Sequence, residues 1–463
     1  APTVALSSNS TSVSENGSNL ILTATLSVAA KVDVVVSLGA SGSAIEDTHY
    51  ASLSDITISA GNTTGTAVFN PTNDNVSGGD KSAIISISSL SGASASNGSP
   101  SSVTISIIDD ESTPIVTLST SASTVAENGS DLTLTATLSI ASSENVIVTL
   151  TGSGTSTAVS DYSSLSTITI SAGSTSGTTT FNPTDDSVYE GSETAIIAIT
   201  GVSGGSAVED GIQSETITIT DSLAAPTVTL SSSVSTVAEN GTNPTLTATL
   251  NRQTFEDVTV TITASGTAIF GTDYTALEQI TISAGKTTGT ITATLVNDSV
   301  YEGDETAILN ITGVSGGGAT ENGTQTVTVT LTDSLAAPTA TLVASASTVS
   351  EKASDLTLTA TLNRSTYETV TVTLSTSGTS TAGTDYESLS SITISAGSTT
   401  GTTAFTLRDD TLYENSETAI IAIDTVSGGG ATESGTQAVT IAITDKALDS
   451  GTQATYDANN ENI

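Results

Sequence analysis

One block of residues recurs at a fixed interval along this 463-residue chain, and that interval limits the possible folds more than any other feature. Asp185-Asp186-Ser187-Val188-Tyr189-Glu190-Gly191-Ser192-Glu193 returns 112 residues later as Asn297-Asp298-Ser299-Val300-Tyr301-Glu302-Gly303-Asp304-Glu305. A second step gives Asp409-Asp410-Thr411-Leu412-Tyr413-Glu414-Asn415-Ser416-Glu417. One step backwards gives Asn73-Asp74-Asn75-Val76-Ser77-Gly78-Gly79-Asp80-Lys81, which lacks both glutamates. The interval is the length of one ordinary domain, so the chain reads as four copies of one unit. The boundaries fall at 1–112, 113–224, 225–336 and 337–445, with a tail at 446–463 that starts no fifth copy.

Each copy reads as β structure. In the second, Leu132-Thr133-Leu134-Thr135-Ala136-Thr137-Leu138 alternates apolar with polar residues, the pattern of a half-buried strand. Thr117 to Thr124 reads as one first strand, Asn145 to Leu150 as another, and Ser166 to Ser171 with Gly177 to Asn182 as a hairpin about Ala172-Gly173. Ala195 to Gly201 and Glu215 to Thr220 complete seven short strands, and no stretch carries a helical period. The expected fold is all-β: four tandem seven-stranded antiparallel β-sandwiches of Ig-like type. Only 36% of residues are hydrophobic and 3% aromatic, so each core is expected to be thin and filled by Val, Ile, Leu and Ala. The connections are short and end in proline, as in Asp221-Ser222-Leu223-Ala224-Ala225-Pro226, which predicts an end-to-end rod with little hinge motion.

The net charge is −40, from 48 acids against 8 bases. That excludes a nucleic-acid partner, which needs a basic surface, and favours a divalent cation. No apolar run approaches a membrane span, so no membrane insertion is expected in this segment. With no cysteine there is no disulfide or thiolate site, and the single histidine, His49, rules out histidine-based metal or triad chemistry. Gly285-Lys286-Thr287 lacks the glycine spacing of a phosphate-binding loop. No catalytic constellation emerges, and the chain is expected not to be an enzyme. Ala1-Pro2-Thr3 matches Ala225-Pro226-Thr227, which places the first residue at a repeat boundary, as in a mature product or a piece of a longer array. Clustered carboxylates offer hard oxygen ligands at a density that suits Ca²⁺ better than softer metals.

The order of motifs within a copy is a glutamate after the first strand, then Gly271-Thr272-Asp273-Tyr274 or its counterpart, then the acidic block, then a terminal aspartate. In that order and at that period the chain resembles the Calx-beta repeat family over residues 1 to about 445. The resemblance implies sandwiches that bind Ca²⁺ at one end, near the junction with the next domain, as in surface adhesins and sodium–calcium exchangers. Carried over by position, the implied ligands in the second copy are Glu127, Asp161, Asp185, Asp186, Glu190, Glu193 and Asp221. In the third they are Glu239, Asp273, Asp298, Glu302, Glu305 and Asp333, with Asn297 in place of an acid. In the fourth they are Glu351, Asp385, Asp409, Asp410, Glu414, Glu417 and Asp445. The first copy keeps Glu15, Asp74 and Asp109 but has His49, Gly78 and Lys81 where the second has Asp161, Glu190 and Glu193, so weak or absent Ca²⁺ is expected there. Family members tend to carry several acids after the last strand, whereas copies two to four carry one.

The reading is an extracellular, bacterial-type adhesive stalk or fibre, stiffened by Ca²⁺ at the domain ends. Two alternatives stand beside it: a filament subunit that associates with copies of itself by exchanging its terminal strand, and a calcium-binding, non-catalytic module joined to further repeats of a larger secreted or membrane protein.

Overall fold

The computed structural model describes residues 1–275, 277, 279–409 and 415–444. Among them every regular element is a β-strand. The chain divides into two compact units, Ala1–Ala224 and Ala225–Ile463, each holding two of the four repeats. Rows of Thr, Val and Ile suit a pleated, half-buried surface, and their alternation decides which face each strand buries. Leu132–Leu138 shows it plainly, with Leu132, Leu134, Ala136 and Leu138 buried and the threonines between them turned outward.

In repeat two, one sheet runs in the order Ser176–Phe181, Leu132–Leu138, Ile115–Thr120, Val208–Glu209. The other runs Thr124–Ala126, Ser214–Thr220, Glu193–Ser203, Val146–Gly154, Ile168–Ile170. The same two sheets, of four and five strands, recur in every repeat. Their inner faces enclose one core cluster per repeat, built in repeat two around Val116, Leu134, Val148, Ile197, Ile217 and Phe181.

Two expectations need correction. The first strand is not continuous: Ile115–Thr120 pairs within one sheet, and after a break Thr124–Ala126 joins the other, parallel to Ser214–Thr220. By crossing the gap, one chain segment contributes an inner strand to one sheet and an edge strand to the other. The expected hairpin about Ala172-Gly173 is instead a crossing, because Ile168–Ile170 pairs with Val146–Gly154 while Ser176–Phe181 pairs with Leu132–Leu138 in the opposite sheet. Both arrangements bury Ile168, Ile170 and Phe181, so alternation alone does not distinguish them.

The sandwich bends at a register shift between Thr149 and Leu150, repeated at the matching place in each repeat. Bulges of this kind increase local twist. The same strand ends at Gly154, whose φ of 113° favours glycine and where a Cβ would lie 2.2 Å from the Thr194 carbonyl oxygen.

Within each unit, the acidic loop of one repeat pairs its backbone with that of the next. Val76–Ser77 pairs parallel with Ala141–Ser142, and the Ser143 N–H donates to the Ser77 carbonyl at 3.0 Å. In the second unit Tyr301 bridges Thr366. Its N–H donates to the Ser365 carbonyl at 2.9 Å, and its carbonyl accepts from the Tyr367 N–H at 3.3 Å. Gly430 leaves room for this contact, since a Cβ there would stand 2.8 Å from the Tyr301 ring.

Leu134 is fully buried, so Leu134→Ala is expected to cost repeat two about 2–5 kcal/mol. Thr133→Ala, on the outer face, should stay within about 0.5 kcal/mol. Denaturant titration followed by hydrogen exchange in repeat two checks both, and equal effects would contradict the assigned faces.

Candidate metal centre

The acidic end of repeat two is assembled from four places in the chain. Glu127 follows the short strand Thr124–Ala126, Asp161 lies in the middle loop, Asp186 and Glu190 lie in the acidic loop, and Glu193 opens the strand after it. Asp221 closes the last strand region and starts the linker. One oxygen each from Asp161, Glu190 and Glu193 lies within 4.8 Å of the others. Oxygens that close can share one Ca²⁺ at about 2.4 Å from each.

Asp221 places the loop. Its Oδ2 accepts the N–H groups of Glu190, at 2.6 Å, and Gly191, at 3.0 Å, while Oδ1 accepts that of Leu223 at 2.7 Å. The linker reaches back as well: the Ser222 hydroxyl donates to Asp185 at 2.5 Å. Asp161 accepts the Thr157 N–H and so fixes its own loop. Asp186 accepts the Val188 N–H at 2.7 Å, a local turn that shapes the acidic loop.

Crowding shows in the proton affinities. Burial first, then the charges of Asp221 and Glu190, push Glu127 up to about 7. Glu193 rises to about 7 through burial and a shared hydrogen bond with Asp161. Glu190 is raised by burial, then by Asp161, Asp186 and Asp221. Glu127 is only 5% exposed, and its Oε2 has no hydrogen-bond partner.

Repeat three builds the same centre. Asp273, Glu302 and Glu305 form the close group. Asp333 accepts the N–H groups of Glu302 at 2.6 Å, Gly303 at 3.2 Å and Leu335 at 2.7 Å. Asp298 accepts from Val300 at 2.8 Å. Burial comes first in raising Glu239 and Glu302 to about 7 and Glu305 to about 8, followed by Asp333 for Glu239 and by Asp273 for the other two. Asn297 accepts the Ser334 hydroxyl at 2.6 Å, the bond Asp185 makes to Ser222. This position ties the loop to the linker, and an amide oxygen serves as well as a carboxylate.

In repeat four Glu351 and Asp385 are buried, Asp385 accepts the Thr381 N–H at 2.6 Å, Asp409 is exposed and Glu417 is partly buried. Asp410, Glu414 and Asp445 lie outside the described residues.

Repeat one is built differently. His49 Nδ1 accepts the Ile45 N–H at 2.9 Å, doing without charge what Asp161 does for its loop. The Lys81 ammonium, at the place of Glu193, donates to the Gly78 carbonyl at 2.5 Å. Asp109 still holds the loop, accepting from Gly78 at 2.7 Å and Gly79 at 2.5 Å. Burial alone raises Asp109, but the N–H groups and the Glu111 carboxyl hold it below the usual range. Glu15, Asp74 and Glu111 form a close group of their own. Burial, then the hydrogen bond to Asp109, puts Glu111 at about 7. Sequence reasoning passed over Glu111; the signal was Asp109-Asp110-Glu111, where the second and third copies have Asp-Ser-Leu.

The Calx-beta domain family matches residues 1–111, 109–223, 221–335 and 333–447, and the chain belongs to that family as four tandem domains. Among solved structures it is similar to the CBD12 region of CALX1.2, at 13% identity, covering 47% of this chain and 99% of that one, with a TM-score of 0.23. It is also similar to a tetra-tandem repeat from the extending region of a large adhesion protein, at 15% identity, covering 96% and 99%, with a TM-score of 0.35. The apo-form Calx CBD1 domain matches at 19% identity, covering 24% and 99%, with a TM-score of 0.21. No curated protein matches the chain.

In ion-free protein the folded state holds protons on Glu127, Glu193, Glu239, Glu302 and Glu305 that the unfolded chain has released above its ordinary carboxylate range. Stability therefore falls as pH rises from about 5 to about 8, because the native state binds the extra protons. Melting temperatures in chelator across this range should decline, and a flat profile would show that the carboxylates do not face one another.

Proposed function

We propose that this chain is an extracellular structural or adhesive stalk whose Calx-beta repeats are stiffened by Ca²⁺ at their acidic ends. The observation that supports it most is Glu127 Oε2, a buried carboxylate oxygen with no partner, in a residue whose charge is felt by Glu193 of the close group of Asp161, Glu190 and Glu193. A buried anionic oxygen without a hydrogen bond is costly unless a cation satisfies it. The donor set is all carboxylate oxygen, which fits a hard cation with flexible, high coordination.

Asp161, Glu190 and Glu193, with Glu127 and Asp186, would hold the ion in repeat two. Asp273, Glu302 and Glu305, with Glu239 and Asp298, would hold it in repeat three. The bound ion supplies positive charge that offsets the repulsion among these groups. The protein does the rest: Asp221 and Asp333 hold the loop backbone, and in the second unit Tyr301 docks the loop on the next repeat. An ion that fixes the loop thereby fixes the junction. Repeat one, with Lys81 beside its loop and His49 in place of an acid, binds more weakly than repeats two and three. The role is binding and support, with no step of catalysis. No helix among the described residues is long and apolar enough to cross a membrane.

Thermal melts of the wild type and of Glu190→Gln, Glu193→Gln, Glu302→Gln, Glu305→Gln combined test this reading. Millimolar Ca²⁺ should stabilise each wild-type site by about 3–4 kcal/mol at 100 to 1,000 times Kd, and the variant should lose that gain. In chelator the variant should melt above the wild type, because the repulsion is gone. Identical wild-type melts with and without Ca²⁺ would remove the ion from the mechanism.

The linker contact predicts a separate effect. Asp221→Ala strips three N–H groups of their acceptor and should raise hydrogen exchange at Glu190, Gly191 and Leu223, while Asp185→Asn, which keeps an acceptor for Ser222, should leave exchange there unchanged. Equal protection in both variants would contradict the assigned roles.

A further inference from the structure

In repeats one, two and four a tyrosine ring stacks on a phenylalanine inside the core: Tyr50 on Phe69 at 4.8 Å, Tyr162 on Phe181 at 4.9 Å and Tyr386 on Phe405 at 4.8 Å. Each phenylalanine stands directly across the strand pair from a leucine, Leu20, Leu132 or Leu356. Repeat three replaces both members of that pair, with Ala293 where the phenylalanine would be and Pro244 where the leucine would be.

The consequences are local and all of one kind. The strand Thr245–Leu250 starts one residue later than its counterparts, and its partner is interrupted at Ala293, between Thr288–Thr292 and Thr294–Leu295. A single bond, from the Ala293 N–H to the Pro244 carbonyl at 3.0 Å, spans the place of the missing pair. An apolar cavity of about 20 Å³ opens there, lined by Pro244, Leu246, Tyr274, Ala293, Leu295 and Leu309 and by no polar atom. A space of that size holds about one water, and without polar lining it stays dry. Tyr274, without a phenylalanine stacked on it, instead makes a T-shaped ring contact with Phe270 at 6.0 Å, and Phe270 is itself 63% exposed.

We propose that repeat three is the yield point of the array, the repeat that opens first when the chain is heated or strained. The argument rests on packing: a lost aromatic stack, a lost cross-strand pair and an unfilled cavity all weaken the same core, whereas the other three repeats keep both the stack and the pair. It is independent of ion binding, since repeat two carries the corresponding glutamates and aspartates beside a core that keeps the stack and the pair.

Hydrogen exchange read by mass spectrometry on the full chain in chelator tests this. Amides of Thr245–Leu250 should exchange at least about tenfold faster than those of Leu132–Leu138 and Leu356–Leu362. Pro244→Leu with Ala293→Phe should close most of that gap. The converse variant, Phe181→Ala, should bring repeat two to the level of repeat three, and it decides the matter if the double variant fails to fold. Equal exchange in the wild-type repeats, or no change in repeat two on Phe181→Ala, would overturn the proposal.

Discussion

The acidic end of each described site depends on one aspartate at the close of the last strand. Asp221 gathers three backbone N–H groups on one carboxylate, two from the acidic loop and one from the linker, and Asp333 does the same. Bonds of an ionised acceptor to amide donors are among the stronger ones a protein makes. They hold a loop whose own side chains repel one another. Asp109 makes the two loop bonds in repeat one, where both glutamates are gone, so the loop owes its shape to this acceptor and not to the charges it carries.

The acids of the repeated block therefore divide by what they do. Asp185 and Asn297 tie the loop to the linker through a serine hydroxyl. Asp161 and His49 accept a backbone N–H four residues back. At such positions the hydrogen bond survives a change that removes the charge. Glu190 and Glu193, with Glu302 and Glu305, instead crowd against a buried aspartate, and burial first, then that crowding, raises their proton affinity. A crowded, partly buried set of carboxylates is unfavourable unless protons or a cation occupy it.

The same loop also faces the next repeat. In the second unit Tyr301 exchanges hydrogen bonds with Ser365 and Tyr367 while Glu302, the next residue, belongs to the crowded group. Backbone pairing and side-chain charge thus sit on adjacent residues of one short segment. Whatever neutralises the side chains acts within one residue of the junction.

The 112-residue period and the alternation in segments such as Leu132–Leu138 fixed the number of units, the strand character and the buried face of each strand. These features are local, because side chains in a strand alternate whatever its partners are. The recurrence of the same acidic residue types in step was also legible, and it marked them as candidates. Partnership was not. Ile168–Ile170 and Ser176–Phe181 read as a hairpin because they are close in sequence, yet each bonds to strands from elsewhere in the chain. Glu111 entered an acidic group, and Asn297 proved to be a hydrogen-bond acceptor for the linker, only once the path of the linker was known. Pro244 and Ala293 are unremarkable forty-nine residues apart and become one defect only when the register sets them side by side. Sequence determined what each segment can bury; the tertiary structure decided which segments meet, because contacts between distant residues follow from how the strands are ordered in the sheets.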